Sequence, residues 1–165
     1  MKMNMEALGV DIGNVIINHR LVDKNDKILF EERYSTIPAV ESVFEVLKVL
    51  NEKKFRGNIF LVSKCTLWAE EKILAWLKDN HFYEKTGVKP KNIYFCRERQ
   101  EKEKICSKLG VTHFIDDRLE VLSHIIGKVP NLYLFQPDQA EVDKYKEFLP
   151  EVIMVESWAE ILRLI

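Results

Sequence analysis

The stretch LGVDIGNVII, residues 8–17, decides how the rest of the chain is read. It opens on an apolar run that suits a buried strand. The run then meets a carboxylate at Asp11 and a glycine at Gly13. An unpaired charge is expensive to bury, so Asp11 is expected where the first strand leaves the sheet. A glycine two residues later lets the backbone come close to a bound group.

Outward from this point, strand-like and helix-like runs alternate. ALGVDI (7–12) is a first strand. AVESVFEVLKVLNEKK (39–54) carries Val40, Val43, Phe44, Leu47 and Leu50 at helical spacing. NIFLV (58–62) is a second strand, and LWAEEKILAWLKDN (67–80) a helix with Leu67, Ile73, Leu74 and Leu77 as its apolar face. NIYFC (92–96), THFI (112–115), NLYLF (131–135) and VIMV (152–155) are further strands. Between and after them lie the helices EKEKICSKLG (101–110), RLEVLSHII (118–126) and SWAEILRLI (157–165). Gly110 is placed to stop the first of these, and Ser157 to cap the last. Strands apolar along their length, separated by helices, predict a parallel sheet covered on both faces. The expected fold is therefore an α/β, Rossmann-like three-layer sandwich with five to six central strands, in a single domain spanning 1–165.

Ligands of such sheets bind beyond the carboxyl ends of the strands. The polar residues expected there form an ordered set. Asp11 follows the first strand, Ser63 and Lys64 the second, Arg97, Glu98 and Arg99 the third, and Asp116 and Asp117 the fourth. Gln136, Pro137 and Asp138 follow the fifth, and Lys102 opens the helix between the third and fourth. Oxygen-rich groups of this kind suit Mg²⁺.

This ordered set resembles the haloacid dehalogenase superfamily of phosphohydrolases, from GVDIGNV to HFIDDR. The resemblance implies that Asp11 is a nucleophile forming an aspartyl-phosphate, that Ser63 donates to the phosphate, and that Lys102, or its rival Lys104, balances charge. It implies Mg²⁺ held by Asp11, the Gly13 carbonyl, Asp116 and Asp117, with Asn14, Lys64 and Arg97 as substrate-binding residues. The phosphorylated substrate remains undefined. Relatives insert cap domains after the first or third strand. The short segments 19–37 and 95–104 imply a core with no cap or a minimal one, open to bulky substrates or closed by an oligomer partner.

One position departs from the pattern. Phosphatases of this superfamily usually carry a second aspartate two residues after the first, as acid and base. Gly13 stands there instead. A general acid or base contributes roughly 10²–10⁴ in rate, so clearance of the phosphoenzyme is expected to be slow. His19 is a nearby substitute. The alternative to a weakened phosphohydrolase is a catalytically silent module that binds phosphate and metal, or serves as a scaffold.

Composition narrows the field. A net charge of −1 argues against a dedicated duplex-DNA binder. The apolar runs are strand-length, too short to span a membrane, and the opening stretch lacks a signal-peptide core. A cytoplasmic protein is expected. Cys65, Cys96 and Cys106 lack the CxxC spacing of metal or redox sites and read as small buried hydrophobes. A receiver domain would place its acidic pair after the first strand, and a dinucleotide-binding turn would need more glycines than Gly13 alone.

Taken singly, each candidate has an ordinary role as well. Asp11 can be a turn aspartate. Asp116, Asp117 and Ser63 can cap helices. Lys102 belongs to the charged run RERQEKEK, and His113 reads as a core histidine.

Overall fold

Val10 pairs with Leu61 on one side and with Ile115 on the other. The first strand therefore lies in the middle of the sheet, although it comes first in the chain. The computed structural model describes residues 5–165. Residues 1–4, part of the opening stretch read for a leader, lie outside them. Six strands, β1 (Leu8–Val10), β2 (Ile59–Lys64), β3 (Ile93–Cys96), β4 (His113–Asp116), β5 (Asn131–Phe135) and β6 (Ile153–Val155), pair in parallel in the order β3-β2-β1-β4-β5-β6. The order reverses at β1, and at that point the strand ends open a crevice.

Among the described residues eight α-helices flank the sheet, the last of them following β6: α1 (Lys27–Glu32), α2 (Val43–Leu50), α3 (Leu67–Asp79), α4 (Phe82–Thr86), α5 (Glu101–Leu109), α6 (Leu119–Ser123), α7 (Gln139–Lys144) and α8 (Trp158–Leu164). The alternation of side chains along a strand assigns them to layers. Leu61, Ile115, Tyr133 and Phe135 pack with α2, α3, α4 and α8. Val62, Phe114, Leu132 and Leu134 pack with α5, α6 and α7. Each fully buried Leu, Ile or Phe contributes about 1.5–3 kcal/mol relative to exposure, so both layers hold the sheet. Among the described residues no helix is long and apolar enough to cross a membrane.

Several elements match the sequence expectation closely. β5 has the expected bounds, and α5 ends where Gly110 takes a left-handed conformation at φ +65°. Ser157 caps α8 by accepting from the Glu160 N–H. Other elements differ. β2 runs to Lys64, so Ser63 and Lys64 are strand residues. The helix expected over 39–54 starts at Val43 and passes into a π-helical turn over Asn51–Phe55. In α3, Leu67 and Leu74 face solvent, and the buried face is Ile73, Trp76 and Leu77. The expected Leu67 and Leu74 stripe is corrected accordingly. The short helices α1, α4 and α7 have too few turns to show a helical period in the sequence.

Gly9 has a specific packing reason. A Cβ built on it would lie 2.4 Å from Cδ2 of Phe114. The bare backbone of β1 thus makes room for the Phe114 ring, and Lys102 Nζ stands 5.8 Å above that ring.

Candidate active site

The central crevice brings two distant acidic segments together. The Asp11 N–H still donates to the Ile115 carbonyl at 2.9 Å. Asp11 therefore leaves the sheet directly beside the end of β4, where Asp116 is the last strand residue. Asp11, Asp116 and Asp117 present carboxylate oxygens that all lie within 4.8 Å of one another.

Lys102 supplies the counter-charge. It is the second residue of α5, and its side chain is buried. Nζ donates to Asp11 Oδ1 at 2.9 Å and to Asp116 Oδ2 at 2.8 Å. Burial alone would lower the lysine pKa, but the two carboxylates override it and hold the ammonium firmly protonated. Its rival Lys104 is exposed. Among the described residues no hydrogen bond engages Asp11 Oδ2.

One ammonium does not neutralise three carboxylates. Burial and the neighbouring Asp11 charge raise the Asp116 pKa well above the usual carboxylate range. The same causes, in the same order, push Asp117 up to about 6. Asp117 Oδ2 accepts from Asn14 Nδ2 at 3.3 Å and lies 3.6 Å from Arg20 Nη2. Asn14 holds a left-handed conformation at φ +62°, and its buried Oδ1 has no partner among the described residues. Arg20 also donates to the carbonyls of Asn14 and Gln136, at 2.7 and 2.8 Å, tying the loop after β1 to the loop after β5.

Asp11, Asn14, Lys102, Asp116 and Asp117 line a cavity of about 370 Å³ that also receives Ser63, Lys64, Arg99, His19 and Tyr34. A second trough of about 490 Å³ adjoins it across Asn14, Asp117 and Arg118. Asp11, Gly13, Asn14, Ser63, Lys64, Lys102, Asp116 and Asp117, all singled out from sequence, thus meet in one place. Arg97 does not join them. Its guanidinium is tied to Glu70 Oε2 at 2.6 Å and to the Cys65 carbonyl at 2.9 Å, and Arg99 and Arg118 stand in the cavity wall instead. Arg99 holds the strand-end place expected for it, whereas Arg20, Tyr34 and Arg118 had no signal as a motif. Their place depends on how the loops fold back over the sheet.

The capping alternatives also resolve. Thr66, not Ser63, caps α3 by accepting from the Ala69 N–H. Asp116 Oδ1 accepts from the Arg118 N–H. Glu141 of α7 takes the free Leu119 and Glu120 N–H groups at the start of α6. Asp117 is left to face the cavity. His113 is a core residue, stacked on Tyr133 with its ring planes 5° apart. Cys96 and Cys106 are buried, whereas Cys65 lies half-buried in the cavity wall.

The donor set suits a small, hard divalent cation. It offers carboxylate oxygens with uncompensated negative charge, beside an orphan amide oxygen able to accept from a metal-bound water.

No family profile matches the sequence, and no curated protein matches it either. Solved structures do match in shape. D,D-heptose 1,7-bisphosphate phosphatase from Burkholderia thailandensis superposes with a TM-score of 0.59 at 12% identity, over 96% of each chain. A haloacid dehalogenase-like hydrolase from Burkholderia xenovorans LB400 gives 0.58 at 12% identity, over 82% of this chain. The present chain spans only 62% of that protein's length. A haloacid dehalogenase-superfamily hydrolase of subfamily IA from Geobacter sulfurreducens gives 0.54 at 12% identity, over 97% of this chain and 96% of its own. At such identities the likeness is one of fold: the chain has a haloacid dehalogenase-like fold.

Proposed function

We propose that this chain is a Mg²⁺-dependent phosphohydrolase that cleaves phosphate monoesters through an aspartyl-phosphate on Asp11. One observation carries the proposal. Lys102 pins Asp11 Oδ1 and Asp116 Oδ2, and leaves Asp11 Oδ2 unengaged in a cavity that also holds Asp117. A carboxylate oriented through one oxygen, with the other available, is arranged for nucleophilic attack.

Asp11, Asp116 and Asp117 would hold the cation. Bound there, Mg²⁺ supplies the charge neutralisation that lets a carboxylate approach a phosphate. Asp11 Oδ2 attacks phosphorus, and the bond from phosphorus to the ester oxygen breaks. The Ser63 hydroxyl and the cations Lys64 and Lys102 stabilise the phosphoryl oxygens. Water then attacks phosphorus, the bond to Asp11 breaks, and phosphate leaves.

The test is hydrolysis of small aryl and alkyl phosphates with Mg²⁺ and with EDTA. Turnover should need Mg²⁺ and disappear in Asp11→Asn. The absence of a side chain at Gly13 favours a second reading, a module that binds phosphate and metal without turnover. Mg²⁺-dependent binding of a phosphate analogue, with no hydrolysis across the substrate panel, would establish that reading instead.

A further inference from the structure

The proposed cycle moves two protons. One reaches the ester oxygen as it leaves, and one is removed from the water that clears the aspartyl-phosphate. Gly13 has no side chain to carry either. The carboxylates beside Asp11 are assigned to the cation in the proposed cycle; Asp116 is also tied to Lys102 and the Arg118 N–H, and Asp117 to Asn14 and Arg20 through Oδ2. The Thr66 hydroxyl caps α3.

His19 is placed differently. A Cβ built on Gly13 would lie 3.6 Å from His19 Nδ1 and 3.7 Å from its Cε1. One edge of the imidazole therefore borders the space a side chain at position 13 would enter, in the same cavity as Asp11. The other edge is anchored, with Nε2 2.9 Å from Tyr34 Oη. Phe30 and Tyr34 pack edge-on against the ring at centroid distances of 6.1 and 5.7 Å. Burial lowers the His19 pKa, with Asp11 opposing, so the neutral ring is favoured. When Nε2–H donates to Tyr34 Oη, the Nδ1 lone pair is the one beside Gly13.

We propose that His19, oriented by Tyr34, is the proton-transfer residue of this site, in the place that Gly13 leaves empty. Nδ1 takes a proton from the attacking water as its oxygen bonds to phosphorus and the phosphorus bond to Asp11 breaks. The imidazolium then gives that proton up to solvent, which also supplies the proton taken by the ester oxygen as it leaves, so His19 is neutral again when the next ester binds. Each cycle consumes one water and one phosphate ester, releases one alcohol and one phosphate, and leaves His19 unchanged. The inference rests on Asp11 as the nucleophile.

Rapid-quench kinetics with p-nitrophenyl phosphate and Mg²⁺ separate the two steps, because p-nitrophenolate leaves without needing a proton. In His19→Asn the first-turnover burst should keep the wild-type rate within about threefold, with one product per chain, which also counts folded sites. The steady-state rate should fall about 10²-fold. Phosphoenzyme should accumulate and be detectable by intact mass. Tyr34→Phe should slow the same second phase by a smaller factor. The inference is overturned if His19→Asn leaves both phases unchanged, slows them equally, or shows neither while melting like wild type. If Asp11→Asn still turns over, or forms phosphoenzyme, the nucleophile assignment fails instead, and the role of His19 falls with it.

Discussion

Lys102 is held at the contact between the two acidic segments, and what it touches determines what its loss would do. Replacing it with methionine keeps much of the stem but leaves Asp11 and Asp116 facing each other without an ammonium. Removing one partner of a buried ionic cluster typically costs about 3–5 kcal/mol. Urea denaturation of Lys102→Met in EDTA should show a loss of that order. Asp117 makes a separate, pH-dependent case. Its carboxyl is raised to about 6 in the folded chain, against about 3.9 when unfolded. The folded state therefore binds the proton more tightly, and stability falls as pH rises through the window between those values. Asp117→Asn removes this penalty. In EDTA, the stability of the variant relative to wild type should grow from pH 4 to pH 6 and level off above; a difference that stays flat across the window would contradict the assignment.

At the scale of elements, the segment between β1 and α2 carries His19, Arg20 and Tyr34 to the site, and two tryptophans from distant helices fasten it. Trp76 of α3 donates to the Ile37 carbonyl and Trp158 of α8 to the Val15 carbonyl, both at 2.8 Å. Both indoles are fully buried. Trp76→Phe would leave a buried carbonyl without its donor, a loss of about 1–3 kcal/mol. Its urea midpoint should fall accordingly, and amide exchange in 11–40 should accelerate. On the opposite face, β1 depends on Gly9. A methyl group there meets the buried Phe114 ring, and overpacking of this kind costs about 1–3 kcal/mol. Gly9→Ala should therefore melt earlier. Because Lys102 sits over the same ring, the substitution should weaken Mg²⁺ binding as well.

For the whole molecule, the strand order matters most. Placing β1 between β2 and β4 sets Asp11 beside Asp116 and lets Lys102, 91 positions from Asp11, reach both. If the acidic cluster, formed only by the folded chain, holds the proposed cation, metal binding is coupled to stability. Free Mg²⁺ at 100 times its dissociation constant should add about 2.7 kcal/mol. Thermal melts with Mg²⁺ against EDTA should show the gain in wild type and lose most of it in Asp116→Asn. An equal gain in both would separate the cluster from metal binding.

The alternation of apolar strands with amphipathic helices, the helix stop at Gly110, the cap at Ser157 and the strand-end positions of Asp11 and Asp116 were all legible in the sequence, because each is set by neighbours a few residues away. The short helices α1, α4 and α7 were not, since one or two turns carry no measurable period. The buried face of α3 keeps the expected Ile73 and Leu77 but departs from hydrophobicity at Leu67 and Leu74, because the packing partners select Trp76. Only the tertiary structure chose Lys102 over Lys104, turned Arg97 toward Glu70, brought Arg20 onto Asp117 and set His19 against Gly13. Those outcomes depend on register, strand order and the path of loops across the sheet. Local composition specifies which groups reach the strand ends, but only packing determines which of them meet.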